Sequence, residues 1–318
     1  MANEFIWAHL IHLGSNMWHE VGNRKGREHR STPEASEVFL FNRQCWNEYT
    51  SSLREVGVNT LVVDIGEALR YESHPEIGVL GSWSHSEMKA EIDRLRGLGF
   101  ELIPKLNFSA CHDVWLKDYS RMLSTPIYYK VCRDLIDEVC ELFKPRYFHI
   151  GMDEETAGNQ KNLLYAVIRS GELWWHDLYY LVDSVERNNA RAWIWADASH
   201  SNPNEYISKM PRSVVQNNWY YSEHCRGDAL SEYDKRNLEI FKLLDQNGFT
   251  QVPTASTYLS VNNFPNLTDY CLESISKGSL LGMMQTAWER VDPAWMQVHH
   301  DALDAISRAM KIAKSRNK

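Results

Sequence analysis

The chain has no excess of positive charge. It carries 34 Lys and Arg against 42 Asp and Glu, a net of -8 over 318 residues, so no broad basic field draws it to phosphate backbones or anionic membranes. It has no run of about 18 apolar residues to span a bilayer, and Met-Ala-Asn-Glu-Phe at its start lacks the charged and apolar regions of a signal peptide. Neither nucleic acid nor a membrane is expected as a partner. As it stands the sequence is expected in the cytoplasm; removal of a leader would place it in the periplasm or outside the cell. The six cysteines (Cys45, Cys111, Cys132, Cys140, Cys225, Cys271) make no C-x-x-C pair, and most fall in apolar stretches where a reduced thiol acts as a small hydrophobe. There is no H-E-x-x-H and no other metal-ligand spacing among the histidines, so no metal is expected. Leu13-Gly14-Ser15-Asn16 is not a glycine-rich phosphate turn, which counts against a doubly wound nucleotide-binding sheet, and no cofactor is expected.

The composition is otherwise that of an ordinary globular protein, 43% apolar and 24% charged, with 12 Trp and 15 Tyr, many of them in polar neighbourhoods. Flat rings with a polar edge suit ligand walls as well as a large core. No linker or low-complexity tract divides the chain, so residues 1–318 are read as one domain. Short β-rich runs alternate with segments of helical period. Strands are expected at 5–13, 58–65, 100–106, 147–152, 192–196, 214–218, 249–255 and 280–286. Helices are expected at 43–56, 86–98, 127–143, 162–188, 203–210, 230–246, 266–277 and 293–314. Eight βα units of about 40 residues each predict an α/β fold, a (β/α)8 TIM barrel, with its site at the C-terminal ends of the strands. A typical barrel allots roughly 31 residues per unit. The surplus falls mostly in loops at 14–42, 66–85, 107–125 and 153–161, all on the expected active-site face.

The strand exits carry carboxylates and aromatic residues: Asp64, Glu67 and Arg70; Lys105, Asn107 and His112; Asp153, Glu154 and Glu155; Trp195 and Asp197; Trp219 and Tyr220; Tyr258; Trp288 and Glu289. Carboxylates that bind hydroxyl pairs, with flat rings that stack on C–H faces, fit a sugar, whereas a phosphate ligand would call for helix N-terminal glycines and clustered Arg or Lys. The acid run 153–155 follows a buried strand. Three acids in the first turn of a helix would interact favourably with its dipole. At a barrel's mouth, burial and like-charge repulsion would instead split their pKa values, as an acid working beside an anion requires.

The stretch His149-Ile150-Gly151-Met152-Asp153-Glu154 resembles the H-x-G-G-D-E motif of glycoside hydrolase family 20, the β-N-acetylhexosaminidases. Val63 to Arg70 (V-D-I-G-E-A-L-R), I-P-K-L-N with the following His112, Q-N-N-W, S-T-Y-L and Q-T-A-W-E agree in order. The resemblance implies a (β/α)8 catalytic barrel acting on a β-linked hexosamine in an oligosaccharide or glycoconjugate. It makes Glu154 the general acid/base and Asp153 the group that holds the 2-acetamido N–H, so that the acetamido oxygen attacks the anomeric carbon with retention. It places Tyr258 on the acetamido oxygen, Trp195, Trp219 and Trp288 as pocket walls, and Glu289 with Arg70 on ring hydroxyls. Met152 stands where the family has a second glycine, and Lys105 and Asn107 stand where it has acids. A cation at Lys105 beside the catalytic pair would keep a neighbouring carboxylate ionised or engage an acidic or differently oriented sugar, and Lys105 and His112 join the candidate substrate-binding residues. Two alternatives stay open. One is a glycosidase on a non-acetamido hexoside such as a galactoside, with Glu154 as acid and Glu289 or Asp64 as nucleophile or base. The other is a degenerate carbohydrate-binding barrel.

Overall fold

The apolar residues of the eight short runs alternate between two cores, and that alternation closes the sheet. A computed structural model describes residues 4–20, 35–161, 163–228 and 230–316. Its elements run β1 (Ile6–His12), α1 (Arg43–Val56), β2 (Thr60–Asp64), α2 (His85–Gly97), β3 (Glu101–Lys105), α3 (Pro126–Phe143), β4 (Tyr147–His149), α4 (Glu172–Glu186) and β5 (Arg191–Trp195). They continue with α5 (Ala198–Ser201), α6 (Pro203–Lys209), β6 (Val215–Asn217), α7 (Glu232–Gln246), β7 (Thr254–Ser256), α8 (Asn263–Ser274), β8 (Gly282–Arg290) and α9 (Met296–Arg316). The strands pair in parallel in the order β6-β5-β4-β3-β2-β1-β8-β7. Backbone bonds between 216–220 and 250–254 join β6 to β7, among them Val252 N to Gln216 O at 3.0 Å and Tyr220 N to Thr254 O at 3.1 Å, and complete the barrel. Among the described residues no helix is long and apolar enough to cross a membrane.

Ile6, Ala8, Leu10, Val62, Ile103, Tyr147, Trp193, Val215 and Met284 fill the interior, while their strand neighbours, such as Leu61, Val63, Phe148 and Ile194, pack against the helices. This is the period-2 alternation of a closed sheet. The helix ends follow local chemistry. Asn42 caps α1 and Gly57 ends it at φ 107°, which a residue without a Cβ adopts freely. Ser84 and Glu87 form a capping box on α2. Thr125 caps α3, and Pro126 opens it with its φ already helical.

The expected helix at 162–188 is shorter than its pattern: α4 starts at Glu172, and the described residues of 150–171 form a loop. The acids 153–155 therefore sit in no helix, and the macrodipole account of them falls away. The loop surplus after β4 extends to 171. Of the expected 14–42 loop, residues 21–34 lie outside the described residues.

Candidate active site

Continuing the inward-facing alternation to the C-terminal edge of β1 to β4 puts one polar residue per strand at a common level: His12 pairs with Asp64, Asp64 with Lys105, and Lys105 with His149. All four are buried. Lys105 forms an ion pair with Asp64, and His12 Nδ1 lies 3.5 Å from the same carboxylate. Burial opposes ionisation of Asp64, but Lys105 and His12 outweigh it and lower its pKa. Burial, followed by the Lys105 charge, pushes His149 down to about 3, so it is neutral. Its Nδ1 accepts the Gly151 amide at 3.1 Å. Lys105 is thus buried and paired with Asp64, and its charge acts on Asp64, His149 and Asp153.

Above this layer the chain leaves β4 through a tightly wound loop. Gly151, Met152 and Glu154 have φ of 75°, 67° and 57°. A Cβ on Gly151 would stand 1.8 Å from Asn107 Oδ1, so glycine is required there. Met152, at the family's second glycine, occupies a left-handed conformation that glycine adopts at less cost, and it anchors itself by burying its side chain in the outer core. Asn107 Oδ1 accepts the amides of Ser109 at 3.1 Å and Met152 at 3.3 Å, while its Nδ2 donates to Asp153 Oδ1 at 3.0 Å. The third acid turns away from the pocket. Glu155 is buried against Arg169, which also donates to Asp177 at 3.2 Å and to the Phe108 carbonyl at 2.8 Å.

Asp153 and Glu154 share one imidazole. His112 Nδ1 lies 3.2 Å from Asp153 Oδ2, and Nε2 lies 3.5 Å from Glu154 Oε2. Burial disfavours the imidazolium, but the two carboxylates, Asp153 first, outweigh it and raise His112 to about 10. Burial likewise opposes charge on Asp153, yet His112, Lys105 and the Asn107 amide hold it well below the usual carboxylate range. The raised partner in the expected split is a residue not counted as a site candidate from sequence. Burial, then the Asp153 charge, lifts Asp197 at the end of β5 to about 7, and its Oδ2 accepts the Glu154 amide at 2.9 Å. Among the described residues, His112, Asp153 and Glu154 offer ligand atoms within 4.8 Å of one another.

Three of the tryptophans lie near one another. Trp195 is buried with its ring 4.7 Å from His149 and 5.8 Å from Trp288, making the floor. Trp288, at φ 59°, leans on His12 at 5.7 Å. Trp219 stacks on Tyr221 at 5.0 Å and 22°. Tyr221 was missed because Trp219-Tyr220-Tyr221 offers two tyrosines with no local signal between them. Tyr220 packs into the outer core, whereas Tyr221 is half-buried with its ring edge-on to Trp288 at 6.4 Å and lies within the fields of Glu154, Asp153 and Asp197. Tyr258 is 36% exposed on the loop after β7. Glu289 follows Trp288 on β8 and is half-buried. Arg70 is exposed, and its charge acts on Glu87 at the start of α2, so no described contact brings it to Asp153 and Glu154.

The family model of the glycosyl hydrolase family 20 catalytic domain matches residues 107–297. No curated protein sequence matches the chain. Among solved structures, the family 20 exo-β-N-acetylglucosaminidase of Vibrio harveyi with bound N-acetylglucosamine superposes with a TM-score of 0.64 at 15% identity, over 96% of this chain and 54% of its own. A β-N-acetylhexosaminidase of Bacteroides fragilis gives 0.63 at 13% identity, over 96% and 65%. A mutant Streptomyces plicatus β-hexosaminidase in complex with its product gives 0.66 at 12%, over 96% and 64%. The chain spans between about half and about two thirds of the length of these structures, and at such identities the likeness shows the fold. With the matched model covering residues 107–297, more than half of the chain and the acids Asp153, Glu154 and Glu155 of the loop after β4, the protein belongs to glycosyl hydrolase family 20.

Proposed function

We propose that this barrel hydrolyses β-linked N-acetylhexosamines with retention, using the substrate's own 2-acetamido group as nucleophile. The observation that carries the reading is the state of Asp153. Its carboxylate is held ionised and aimed by Asn107 and His112, beside a Glu154 whose side chain is 39% exposed and so open to a leaving group and to water. Asp153 accepts the acetamido N–H and drives electron density to the acetamido oxygen, which bonds to the anomeric carbon as the glycosidic C–O bond breaks. Glu154 gives its proton to the departing oxygen. It then takes a proton from the water that opens the cyclic oxazolinium intermediate, which returns the anomeric configuration to β and the acetamido group to its starting form. Tyr221, between Trp219 and Trp288 and close to all three carboxyl groups, is better placed than Tyr258 to hydrogen-bond the acetamido oxygen.

The two-carboxylate alternative loses one of its candidates, because Asp64 is buried and paired with Lys105. The test is a panel of chromogenic glycosides that differ only at C2 and C4, run on wild type and Glu154→Gln. The proposal expects turnover of 2-acetamido substrates alone, lost in Glu154→Gln for aryl groups that need protonation. Turnover of a plain galactoside or glucoside without the N-acetyl analogue would reject it. Binding across the panel without any hydrolysis would favour a carbohydrate-binding barrel.

A further inference from the structure

We propose that Asp197 is a positioning residue for Glu154, holding the acid's backbone in its left-handed conformation by accepting its amide hydrogen. This deepens, and rests on, the reading of Glu154 as the proton donor.

The geometry is specific. Glu154 has φ 57°, a conformation that an L residue keeps only when its surroundings over-determine it. Its carbonyl is held by Cys111 Sγ at 2.8 Å and Asn159 Nδ2 at 3.0 Å, both within the 107–161 segment. Its amide reaches outside that segment to Asp197 Oδ2, at 2.9 Å, two residues past the end of β5 and just before α5. The turn from β5 into α5 is thus the element that fixes where the acid stands. The trajectory of a proton donor tolerates little error, and a shift of about 1 Å can cost on the order of a hundredfold in rate.

The rest of Asp197 points to the same role. Its Oδ1 is buried with no hydrogen-bond partner. The titratable groups that face it include Asp153 and Glu154 from the loop after β4, Tyr206 of α6 and Tyr221 after β6. Among the described residues no ion pair reaches the carboxyl, and its bond to another residue is the one it accepts from the Glu154 amide.

The experiment compares Asp197→Ala, Asp197→Ser and Asp197→Asn by amide hydrogen exchange of the peptide containing Glu154, and by kcat and KM on an aryl N-acetyl-β-hexosaminide. Ala and Ser remove the acceptor; Asn keeps an oxygen in the same place. In the Ala and Ser variants the Glu154 amide is expected to exchange at least about tenfold faster, and kcat to fall by about tenfold or more with KM changed less than about threefold. Asn is expected to restore exchange protection and most of kcat. Unchanged protection in both Ala and Ser, or an Asn variant as impaired as Ala, would overturn the proposal. Exchange needs no turnover. If the wild type hydrolyses no N-acetylhexosaminide, the functional reading fails while exchange still decides the role of Asp197.

Discussion

The side-chain oxygen of Asn107 occupies the space that a Cβ on Gly151 would need: the two would stand 1.8 Å apart, with Asn107 Cγ at 2.5 Å. The same amide donates to Asp153 at 3.0 Å, so the aim of the carboxylate depends on a glycine two residues before it.

Gly151→Ala is therefore expected to displace Asn107 and lose Asp153's alignment. Clash and positive φ together are expected to destabilise the protein by roughly 2–4 kcal/mol, with activity falling further than stability alone explains. Chemical denaturation beside steady-state kinetics checks both. Wild-type stability and rate would show that the loop relaxes freely.

Met152→Gly is expected to destabilise although it relieves a positive φ of 67°. The conformational gain is about 1–2 kcal/mol, whereas emptying a buried methionine costs about 2–5 kcal/mol. Denaturant titration should show a net loss with kcat within a few-fold of wild type. A gain in stability would mean that Met152 packs for little benefit.

Lys105→Met and Asp64→Asn each leave one buried charge without its partner and are expected to cost about 3–5 kcal/mol, with the double variant costing clearly less than the sum. Lys105 also helps keep Asp153 ionised. Its loss should raise the proton affinity of Asp153 and move the acid limb of kcat/KM to higher pH. An unmoved limb in a folded Lys105→Met would remove Lys105 from the electrostatics of the site.

Asp113 is fully buried, with neither oxygen hydrogen-bonded, and burial pushes it up to about 7. Because its folded pKa lies above its unfolded value near 4, the folded state binds the extra proton between about pH 4 and 7. Its contribution is present below about pH 4 and is lost as pH rises through 7. Asp113→Asn removes that slope, so the variant should gain on wild type by about 1.4 kcal/mol per pH unit across the window. Buried His9, His149 and His299, lowered to about 3, 3 and 4 chiefly by burial, have the opposite sign and support the fold as pH rises toward 6.5. Denaturation at pH 4.5 and 6.5 measures the difference between variant and wild type, and a constant difference would contradict the assignment.

Tyr221→Phe is expected to lower kcat/KM for an N-acetylhexosaminide by about tenfold or more, the loss expected when a hydrogen bond to developing charge is removed. Tyr258→Phe should stay within about threefold. The reverse ranking would return the acetamido contact to the loop after β7.

Several elements were legible because their causes are local. Helix α1 spans the predicted 43–56, and Ser84 and Gly57 terminate helices as their types require. The family was legible because a buried strand and the His149-to-Glu154 motif coincide in one nine-residue stretch. The helix expected from 162 was not, since its apolar spacing belongs to a loop tied down by Gln160, Val167 and Arg169 rather than to a helical face. Asp197 stood among the strand exits in the sequence, but its role beside Glu154 had no local signal because its partner is a backbone amide 43 positions away.

By itself the sequence determined the number and order of βα units, the closed alternation that makes them a barrel, and the family through the acids after the fourth strand, all from periodicity and short-range motifs. Tertiary structure alone decided which charges meet. Lys105, read in sequence as a possible sugar contact, is neutralised by Asp64 one strand over; Glu155 is withdrawn by Arg169; and the carboxyl that shares the site with Asp153 and Glu154 is Asp197. The physical reason is register. Lys105 and Asp64 lie 41 residues apart on neighbouring strands, and Glu154 and Asp197 lie 43 apart just past neighbouring strands, so the alignment of those strands sets whether they meet, while Glu155 and Arg169, 14 apart, are brought together by the folding of the loop after β4.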